Sequence, residues 1–411
     1  MRLTFAAFLF PLAACIAGPA LAAPCAGRWT AAWASAQMAP TGDNALAPGM
    51  LADSSLRQIV RPSMAGDRLR VRLSNLMGAA PLHIRGASIA RALRAGSPAI
   101  DAKTLLPLRF DGRSDVTIPA GADYLSDPVA LPVRAFDDLA ISIAFGEEPS
   151  GQTSHPGSRA TSWLLKGDHL TDPAMAGAQA VEHWFSLAAL EVERCTAAKL
   201  IVALGDSITD GRGSTTDGND RWTDNLARRL QADPATRHLA VVNQGIGGNR
   251  LLNDGLGPNA LARLDRDVLA QPGVRYLILL EGINDIGTLT REAPVSDAEH
   301  ARLVSRIIGS YRQIVMRARA RGIKVIGGTI LPFMGNDYYH PDARNEADRQ
   351  AVNRWIREPG NFDGVIDFDR AVRDPARPDR LLPRHDVGDA LHPSPEGYRA
   401  MARAIPLDLF R

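Results

Sequence analysis

Four short groups in the second half of the 411-residue chain have the residue types that acyl transfer needs. They are Gly205-Asp206-Ser207, Asn243 to Gly248, Gly282-Ile283-Asn284-Asp285 and Asp389-Ala390-Leu391-His392. Acyl transfer requires a nucleophile, a base that takes its proton and a group that orients the base. It also requires hydrogen-bond donors aimed at the carbonyl oxygen that becomes negative. The four groups together could supply every one of these parts.

Each part can be assigned to a residue. Ser207 directly follows an unbroken apolar run, and we expect it to be the nucleophile. We expect His392 to be the base, with Asp389 three residues earlier and close enough in a turn to hold its imidazole. The backbone N–H groups of Ser207 and Gly248 and the side-chain amide of Asn284 form the expected oxyanion hole. Glycine at position 248 allows the backbone to approach the substrate closely.

Each group alone also has an ordinary structural explanation. Ser207 or Asp389 could be a helix cap, Gly247-Gly248 a turn, and Asn284 an Asx-turn residue. The hypothesis depends on their order, because each group follows a predicted strand or lies in the last loop. It requires no metal and no cofactor. Other hydrolytic and nucleotide-binding motifs are missing: Thr209 stands where a Gly-x-Ser-x-Gly elbow needs glycine, and there is no His-Glu-x-x-His or Walker A sequence.

The elements that must position these residues begin after Lys199. Leu200–Leu204 is an unbroken apolar run, which is typical of a strand buried on both faces. Similar runs follow at Leu239–Val242, Tyr276–Leu280, Val325–Ile330 and Val365–Phe368. Helical segments are predicted between them at Arg221–Leu230, Leu261–Leu269, Ala298–Arg321 and Asn345–Ile356. Alternating strands and helices predict a doubly wound α/β domain with a parallel sheet. In such a sheet the ligand site lies beyond the carboxyl ends of the strands.

The region from about Trp29 to Glu193 predicts a different kind of structure. Arg68–Leu73 and Leu139–Phe145 alternate polar and apolar residues, and short runs such as Val116–Ile118 are separated by turn residues. Many short strands predict a β-sandwich or jelly-roll-like domain. We therefore expect a signal peptide at 1–22, a β-rich accessory domain at 23–195 and the α/β domain at 196–411.

The four groups taken together resemble the sequence blocks of the GDSL/SGNH hydrolases. The resemblance covers roughly Lys199 to the C-terminus. It implies a flavodoxin-like α/β/α fold and Ser-Asp-His catalysis of ester cleavage. It also implies the same roles for the residues assigned above: Ser207, Asp389 and His392 as the catalytic triad, and Ser207, Gly248 and Asn284 as the oxyanion donors.

A narrower resemblance concerns the substrate. Four stretches are similar to a subfamily of secreted acylhydrolases, some of them xylan-associated: 211–215, 219–222, 243–251 and 386–389. Members of that subfamily carry an N-terminal β-domain, which here would begin near Trp29. The similarity implies a small-molecule or polysaccharide ester as substrate, with an acetyl group on carbohydrate favoured. Two alternatives stay open: a lipase or thioesterase for longer acyl chains, and a carbohydrate-binding protein with an inactive hydrolase domain.

The first residues predict export. Arg2 precedes an apolar run from Thr4 to Leu12, and the small residues Ala20-Leu21-Ala22 offer a cleavage site. No later run approaches the roughly 20 apolar residues of a membrane helix. A lipoprotein-like box ending at Cys15 is the alternative, in which the mature protein would be tethered to a membrane by lipid rather than released.

Cysteine content and charge complete the sequence-based expectations. Removal of Cys15 would leave Cys25 and Cys195, and an even pair in an oxidising compartment suggests one disulfide. Two unpaired thiols are the alternative. The net charge is +2, and the arginines are scattered among acidic residues, so we expect no nucleic-acid partner. The sequence does not determine the oligomeric state.

Overall fold

The computed structural model describes residues 28–411, and the predicted signal peptide, Cys15 and Cys25 lie outside these residues. Thirteen strands occupy the first part of the described chain. They are β1 Trp29–Ala34, β2 Ser54–Val60, β3 Arg68–Ser74, β4 Leu82–Arg91, β5 Leu106–Leu108, β6 Val116–Ile118, β7 Asp123–Leu125, β8 Leu139–Phe145, β9 Ser154–His155, β10 Ser162–Lys166, β11 Gln179–Val181, β12 Trp184–Phe185 and β13 Leu187–Glu193. All pairings among them are antiparallel.

These strands form two main sheets. One has the order β1-β13-β3-β7 and the other β11-β10-β2-β8-β4-β5, with β6 paired to β4. The alternation in β3 places Leu69, Val71 and Leu73 in the core, fully buried, while the arginines between them are partly exposed. Ser186 has a φ of 51°, which separates β12 from β13 inside what reads in the sequence as one apolar run. The predicted antiparallel β-rich region is confirmed.

The second part of the chain alternates strands and helices. Its elements are β14 Lys199–Gly205, α1 Ser207–Asp210, α2 Trp222–Ala232, β15 Leu239–Gly245, α3 Ala260–Leu264, β16 Val274–Leu280, α4 Ile283–Thr290, α5 Asp297–Arg319, β17 Lys324–Gly328, α6 Ala343–Arg357, β18 Gly364–Ile366, α7 Phe368–Val372 and α8 Pro395–Arg403. The five strands are parallel in the order β15-β14-β16-β17-β18. This is the flavodoxin-like 2-1-3-4-5 order, so the predicted fold class is confirmed.

Local signals explain most element boundaries. Ser296 accepts a hydrogen bond from the Glu299 N–H, and the Glu299 carboxylate accepts one from the Ser296 N–H, which starts α5 as a capping box. The last apolar run was predicted to continue to Phe368. It ends as a strand at Ile366, because the Asp367 side chain caps α7 by accepting from the Arg370 N–H.

The β-rich region packs against one edge of the parallel sheet. Strand β1 lies beside β15, and the Val241 N–H donates to Ser63 Oγ at 2.9 Å. The Ala31 N–H donates to the Pro272 carbonyl at 3.2 Å. The predicted boundary at 195/196 falls in the connection between β13 and β14. None of the helices among residues 28–411 is long and apolar enough to cross a membrane.

Candidate active site

Ser207 lies at the carboxyl end of β14, as the first residue of the single-turn helix α1. The Asp206 carboxylate caps this turn by accepting from the Ile208 N–H at 2.9 Å. Glycine is required at position 205, because a Cβ there would lie 2.6 Å from the Leu280 carbonyl oxygen. The sharp strand-to-helix turn places the Ser207 hydroxyl at the edge of the sheet where all five parallel strands end.

Asp389 and His392 form a compact turn in the loop before α8. Asp389 Oδ1 accepts from the N–H groups of Leu391 at 3.0 Å and His392 at 2.8 Å, and Oδ2 lies 2.6 Å from His392 Nδ1. Burial opposes ionisation of Asp389, but the hydrogen bond and charge of His392 and the two backbone donors outweigh it. The pKa of Asp389 is lowered to about 2. Its carboxylate is therefore ionised and can only accept hydrogen bonds.

The two parts meet through the histidine. His392 Nε2 lies 2.8 Å from Ser207 Oγ, and both residues are buried. Because the ionised Asp389 must receive a proton from Nδ1, the neutral imidazole has an unprotonated Nε2 that accepts from the Ser207 hydroxyl. The structure thus brings the three sequence-predicted triad residues into one hydrogen-bonded chain.

The expected oxyanion donors lie on neighbouring loops. Gly248 follows β15 with a φ of 70°, and its N–H donates to no other group in the described part of the chain. The Ser207 N–H is at the first position of a helix, where no intrahelical acceptor exists. Asn284 Nδ2 donates to the Asn249 carbonyl at 2.7 Å, which leaves its second amide hydrogen for another acceptor.

Tyr339 is a residue of the site that sequence reasoning did not assign. Its hydroxyl donates to Asn284 Oδ1 at 2.6 Å, which fixes the orientation of the amide and keeps the nitrogen as the donor on the other side. Asn336 completes the link: its Oδ1 accepts from the Tyr339 N–H at 2.9 Å, and its Nδ2 donates to the Asp389 carbonyl at 2.8 Å. The only sequence feature that could have indicated Tyr339 and Asn336 is their position in the loop that follows β17. His340, the next residue after Tyr339, is exposed.

Arg263 is a second residue that sequence reasoning did not assign, and its side chain is completely buried beside the turn that carries Ser207. The guanidinium donates to the Gly205 carbonyl at 3.0 Å, the Gln244 carbonyl at 2.6 Å and Asn249 Oδ1 at 2.7 Å. It also pairs with Asp267 Oδ2 at 3.0 Å. One cation therefore ties together the ends of β14 and β15 and the oxyanion loop. Nothing in the residues around position 263 predicts this role.

Three buried carboxyl groups in this part of the site, those of Asp206, Glu281 and Asp285, act on one another electrostatically. Burial, followed by the Asp285 charge, raises the pKa of Asp206 to about 7. Burial and the Asp206 charge raise the pKa of Glu281 well above its ordinary value, and burial raises the pKa of Asp285 to about 6. Asp285 accepts from the Leu251 and Leu252 N–H groups, so it shapes the loop that follows the oxyanion glycine.

Residues 28–411 contain no group of three or more His, Cys, Asp or Glu side chains placed to hold a metal ion. The chemistry of the site is that of hydrogen-bonded proton transfer between Ser207 and His392, with amide donors beside it. Such a site can attack a carbonyl carbon and stabilise the resulting oxyanion.

Comparison with known proteins places the α/β domain in a family. Residues 203–400 match the family described as GDSL-like lipase/acylhydrolase. No curated protein was found to be similar to the chain. Among solved structures, a G-D-S-L family lipolytic protein from Desulfitobacterium hafniense is 24% identical over 50% of this chain and 97% of its own, with a TM-score of 0.37. The acetylxylan esterase Axe2 from Geobacillus stearothermophilus is 22% identical over 52% of this chain and 96% of its own, with a TM-score of 0.38.

The family match and the geometry of the site concern the same segment of the chain. The parallel sheet, the Ser207–His392–Asp389 chain and the oxyanion loops lie almost entirely within the matched residues. Residues 203–400 are therefore a GDSL-like lipase/acylhydrolase domain, the domain of a carboxylic ester hydrolase.

Proposed function

We propose that the protein is an exported serine esterase that cleaves carboxylic esters through an acyl-enzyme on Ser207. The observation that carries this proposal is the continuous chain from Ser207 Oγ to His392 Nε2 at 2.8 Å and from His392 Nδ1 to Asp389 at 2.6 Å. A serine hydroxyl is a weak nucleophile unless an oriented base takes its proton. This arrangement supplies the base and the carboxylate that orients it.

The reaction follows from the positions of the protons. His392 Nε2 takes the proton of Ser207 as Oγ bonds to the ester carbonyl carbon. The N–H groups of Ser207 and Gly248 and the Asn284 amide stabilise the oxygen that becomes negative. His392 then gives the proton to the alcohol oxygen as the C–O bond breaks, which leaves the acyl group on Ser207. Water, deprotonated by His392, attacks this ester in turn, and the acid and the free serine are released.

For the substrate we propose a short acyl group, acetyl in the first instance, on a carbohydrate. The support is the similarity of four stretches to secreted acylhydrolases, some of which are xylan-associated. The stretch 386–389 belongs to the loop that holds Asp389, and 243–251 contains the oxyanion glycine. The resemblance therefore includes residues that border the reacting centre.

A longer acyl chain is the second candidate, favoured by apolar residues beside the site. Leu256 is 48% exposed and lies next to Gly248, with its Cδ1 3.3 Å from the position of a Cβ on that glycine. Val387 is 46% exposed in the loop before His392. Apolar side chains that line a site are the groups that contact an apolar part of a ligand.

The first experiment measures acetate release from acetylated xylan and hydrolysis of p-nitrophenyl acetate by wild type and Ser207→Ala. Ser305→Ala, an exposed serine on α5, is the matched control. We expect activity on both substrates that is lost in Ser207→Ala and kept in Ser305→Ala. Activity on the aryl ester alone would contradict the xylan substrate, and a rate maximum beyond butyrate would favour the second candidate. No serine-dependent activity on any chain length would overturn the esterase proposal and favour a carbohydrate-binding protein with an inactive hydrolase domain.

Export and the disulfide are part of the proposal. Cleavage after Ala22 would give a mature chain that begins at Ala23 and retains Cys25 and Cys195. The intact mass of protein recovered from outside the cytoplasm, before and after reduction and alkylation, tests both ideas. We expect the mass of residues 23–411 with one disulfide. A lipid adduct on Cys15 would mean that the mature protein is tethered to a membrane and not released. Two titratable thiols would contradict the disulfide between Cys25 and Cys195.

A further inference from the structure

One segment of the β-rich region reaches the helix turn that carries Ser207. His155, in β9, is buried with its Nδ1 2.8 Å from the Ala36 carbonyl oxygen and its Nε2 2.9 Å from Asp210 Oδ1. The imidazole is stacked on Trp184 at a centroid distance of 5.7 Å and an interplanar angle of 23°. His155, Ala36 and Trp184 belong to the β-rich region, and Asp210 is the last residue of α1.

The partners of His155 determine where its protons are. A carbonyl oxygen only accepts, so Nδ1 must carry a hydrogen for Ala36. Nε2 then faces the Asp210 carboxyl group, and one proton must lie between them, either on the imidazole or on the carboxyl group. The side chains of His155 and Asp210 are only 5% and 4% exposed. Because water has little access, losing either partner would leave a buried polar group without its hydrogen bond.

Asp210 is held by further contacts between the two regions. Arg221 Nε donates to the Asp210 carbonyl at 2.7 Å, and Arg221 Nη2 donates to the Ser158 carbonyl of the β-rich region. Two glycines also pack tightly against Asp210. A Cβ on Gly157 would lie 1.7 Å from Asp210 Oδ2, and a Cβ on Gly245 would lie 2.3 Å from the Asp210 nitrogen. The end of α1 is therefore enclosed between β15 and the β-rich region.

Helix α1 depends on such outside support because it is a single turn of four residues. So short a helix has no stability of its own, since nucleation fixes several dihedral angles for one hydrogen bond. Ser207 and Asp210 are its two ends, and the Asp210 N–H donates to the Asp206 carbonyl at 2.8 Å. Movement of Asp210 would thus shift the backbone that aims the Ser207 hydroxyl at His392.

We propose that His155 is a positioning residue: it fixes Asp210, and through α1 it holds Ser207 in the geometry needed for attack. This inference rests on the proposed role of Ser207. The β-rich region then completes the active site of the α/β domain, although none of its atoms is required to touch the substrate.

Two substitutions of similar size separate this role from simple packing. His155→Gln can place an amide nitrogen where Nε2 lies and donate to Asp210, but it gives up the bond to Ala36. His155→Asn can place its nitrogen where Nδ1 lies and donate to Ala36, but it cannot reach Asp210. We expect His155→Asn to lower kcat on p-nitrophenyl acetate about 10²-fold with KM unchanged, because a small misplacement of the nucleophile has this effect. His155→Gln should retain kcat within a few-fold of wild type.

Asp210 provides a second pair if His155→Asn does not fold. Asp210→Asn can donate to a neutral His155 Nε2 and preserve the contact, whereas Asp210→Ala removes it. We expect the first to keep kcat and the second to lose it, with folding checked by thermal unfolding. Equal kcat in the two members of a folded pair would overturn the proposal, as would a change confined to KM. Ser207→Ala measured in parallel distinguishes the two hypotheses: if wild type lacks serine-dependent activity, the proposed function fails rather than the role of His155.

Discussion

The Asp389–His392 turn and the Ser207 turn meet across one 2.8 Å hydrogen bond, yet they are built from different kinds of contact. The Asp389 carboxylate is satisfied entirely within residues 389–392. The turn that carries Ser207, in contrast, is contacted by residues from far along the chain: Arg263 donates to the Gly205 carbonyl, and His155 lies 2.9 Å from Asp210. We call the Asp389–His392 turn the local half, in which the Asp389 side chain is 36% exposed, and the Ser207 turn the long-range half, which is buried. Substitutions in the first should therefore lower activity above all, whereas substitutions in the second should have their largest effect on stability.

The largest effect on activity is expected in the local half. Asp389→Asn keeps an oxygen that can accept from the Leu391 and His392 N–H groups, so the turn should persist. Its amide nitrogen would donate to His392 Nδ1 and force the proton onto Nε2, which then cannot accept from Ser207. We expect kcat to fall about 10⁴-fold in a variant that still folds, as checked by urea unfolding. A loss below about tenfold would show that Asp389 does not select the tautomer.

The largest effect on stability is expected in the long-range half. Arg263→Ala would remove the buried donor of Asn249 Oδ1 and of the Gln244 carbonyl, whereas Asp267 would keep its ion pair with Arg266. Each buried acceptor left without a donor costs about 1–3 kcal/mol of unfolding free energy. Urea unfolding of Arg263→Ala against Arg306→Ala, an exposed arginine on α5, measures this cost. Equal stabilities would refute the idea that Arg263 holds the strand ends together.

The pH dependence of stability should have opposite signs in the two halves. The pKa of Asp206 is raised to about 7 and that of Asp285 to about 6, so the native state binds more protons than the unfolded chain between about pH 4 and pH 7. These groups therefore make the unfolding free energy fall as pH rises through this range. Asp389 has a lowered pKa of about 2, so its contribution is complete above about pH 4 and is lost as pH falls toward 2.

Asp206→Asn tests the part of this dependence that lies near neutral pH. The amide can still accept from the Ile208 N–H but no longer titrates. We expect the slope of unfolding free energy against pH between 5 and 7.5 to become shallower, by at most about 1.4 kcal/mol per pH unit. Asp337→Asn, at an exposed position, should leave the slope unchanged. An unaltered slope in Asp206→Asn would mean that this carboxyl is ionised throughout.

The smallest effect is expected for Tyr339→Phe, which removes the bond that orients Asn284. A hydrogen bond of this kind contributes about 1 kcal/mol, so kcat should fall about fivefold. Tyr338→Phe is the neighbouring control, since its hydroxyl receives a bond from Arg291 at the surface. Equal kcat in the two variants would show that Asn284 keeps its orientation without Tyr339.

The same contrast explains what could be read from the sequence. The five parallel strands and the Asp389–His392 turn were predictable because their signals are local: apolar runs, caps and a three-residue spacing. Arg263, Tyr339 and His155 were not, because their partners lie 58, 55 and 55 residues away. An arginine in a helix or a histidine in a short strand has no pattern that reveals such a partner. Ser186, which divides an apolar run, was missed because its left-handed backbone conformation leaves no mark on hydropathy.

The β-rich region covers the edge of β15, and this contact has a consequence for the solubility of the α/β domain. An unpaired strand edge is a template for pairing with another chain, and proteins protect such edges. Here β1 and Ser63 cover one border of the parallel sheet, and the opposite border ends in the three-residue strand β18. A fragment that begins at residue 196 would expose the edge of β15 to solvent. We expect this fragment to aggregate.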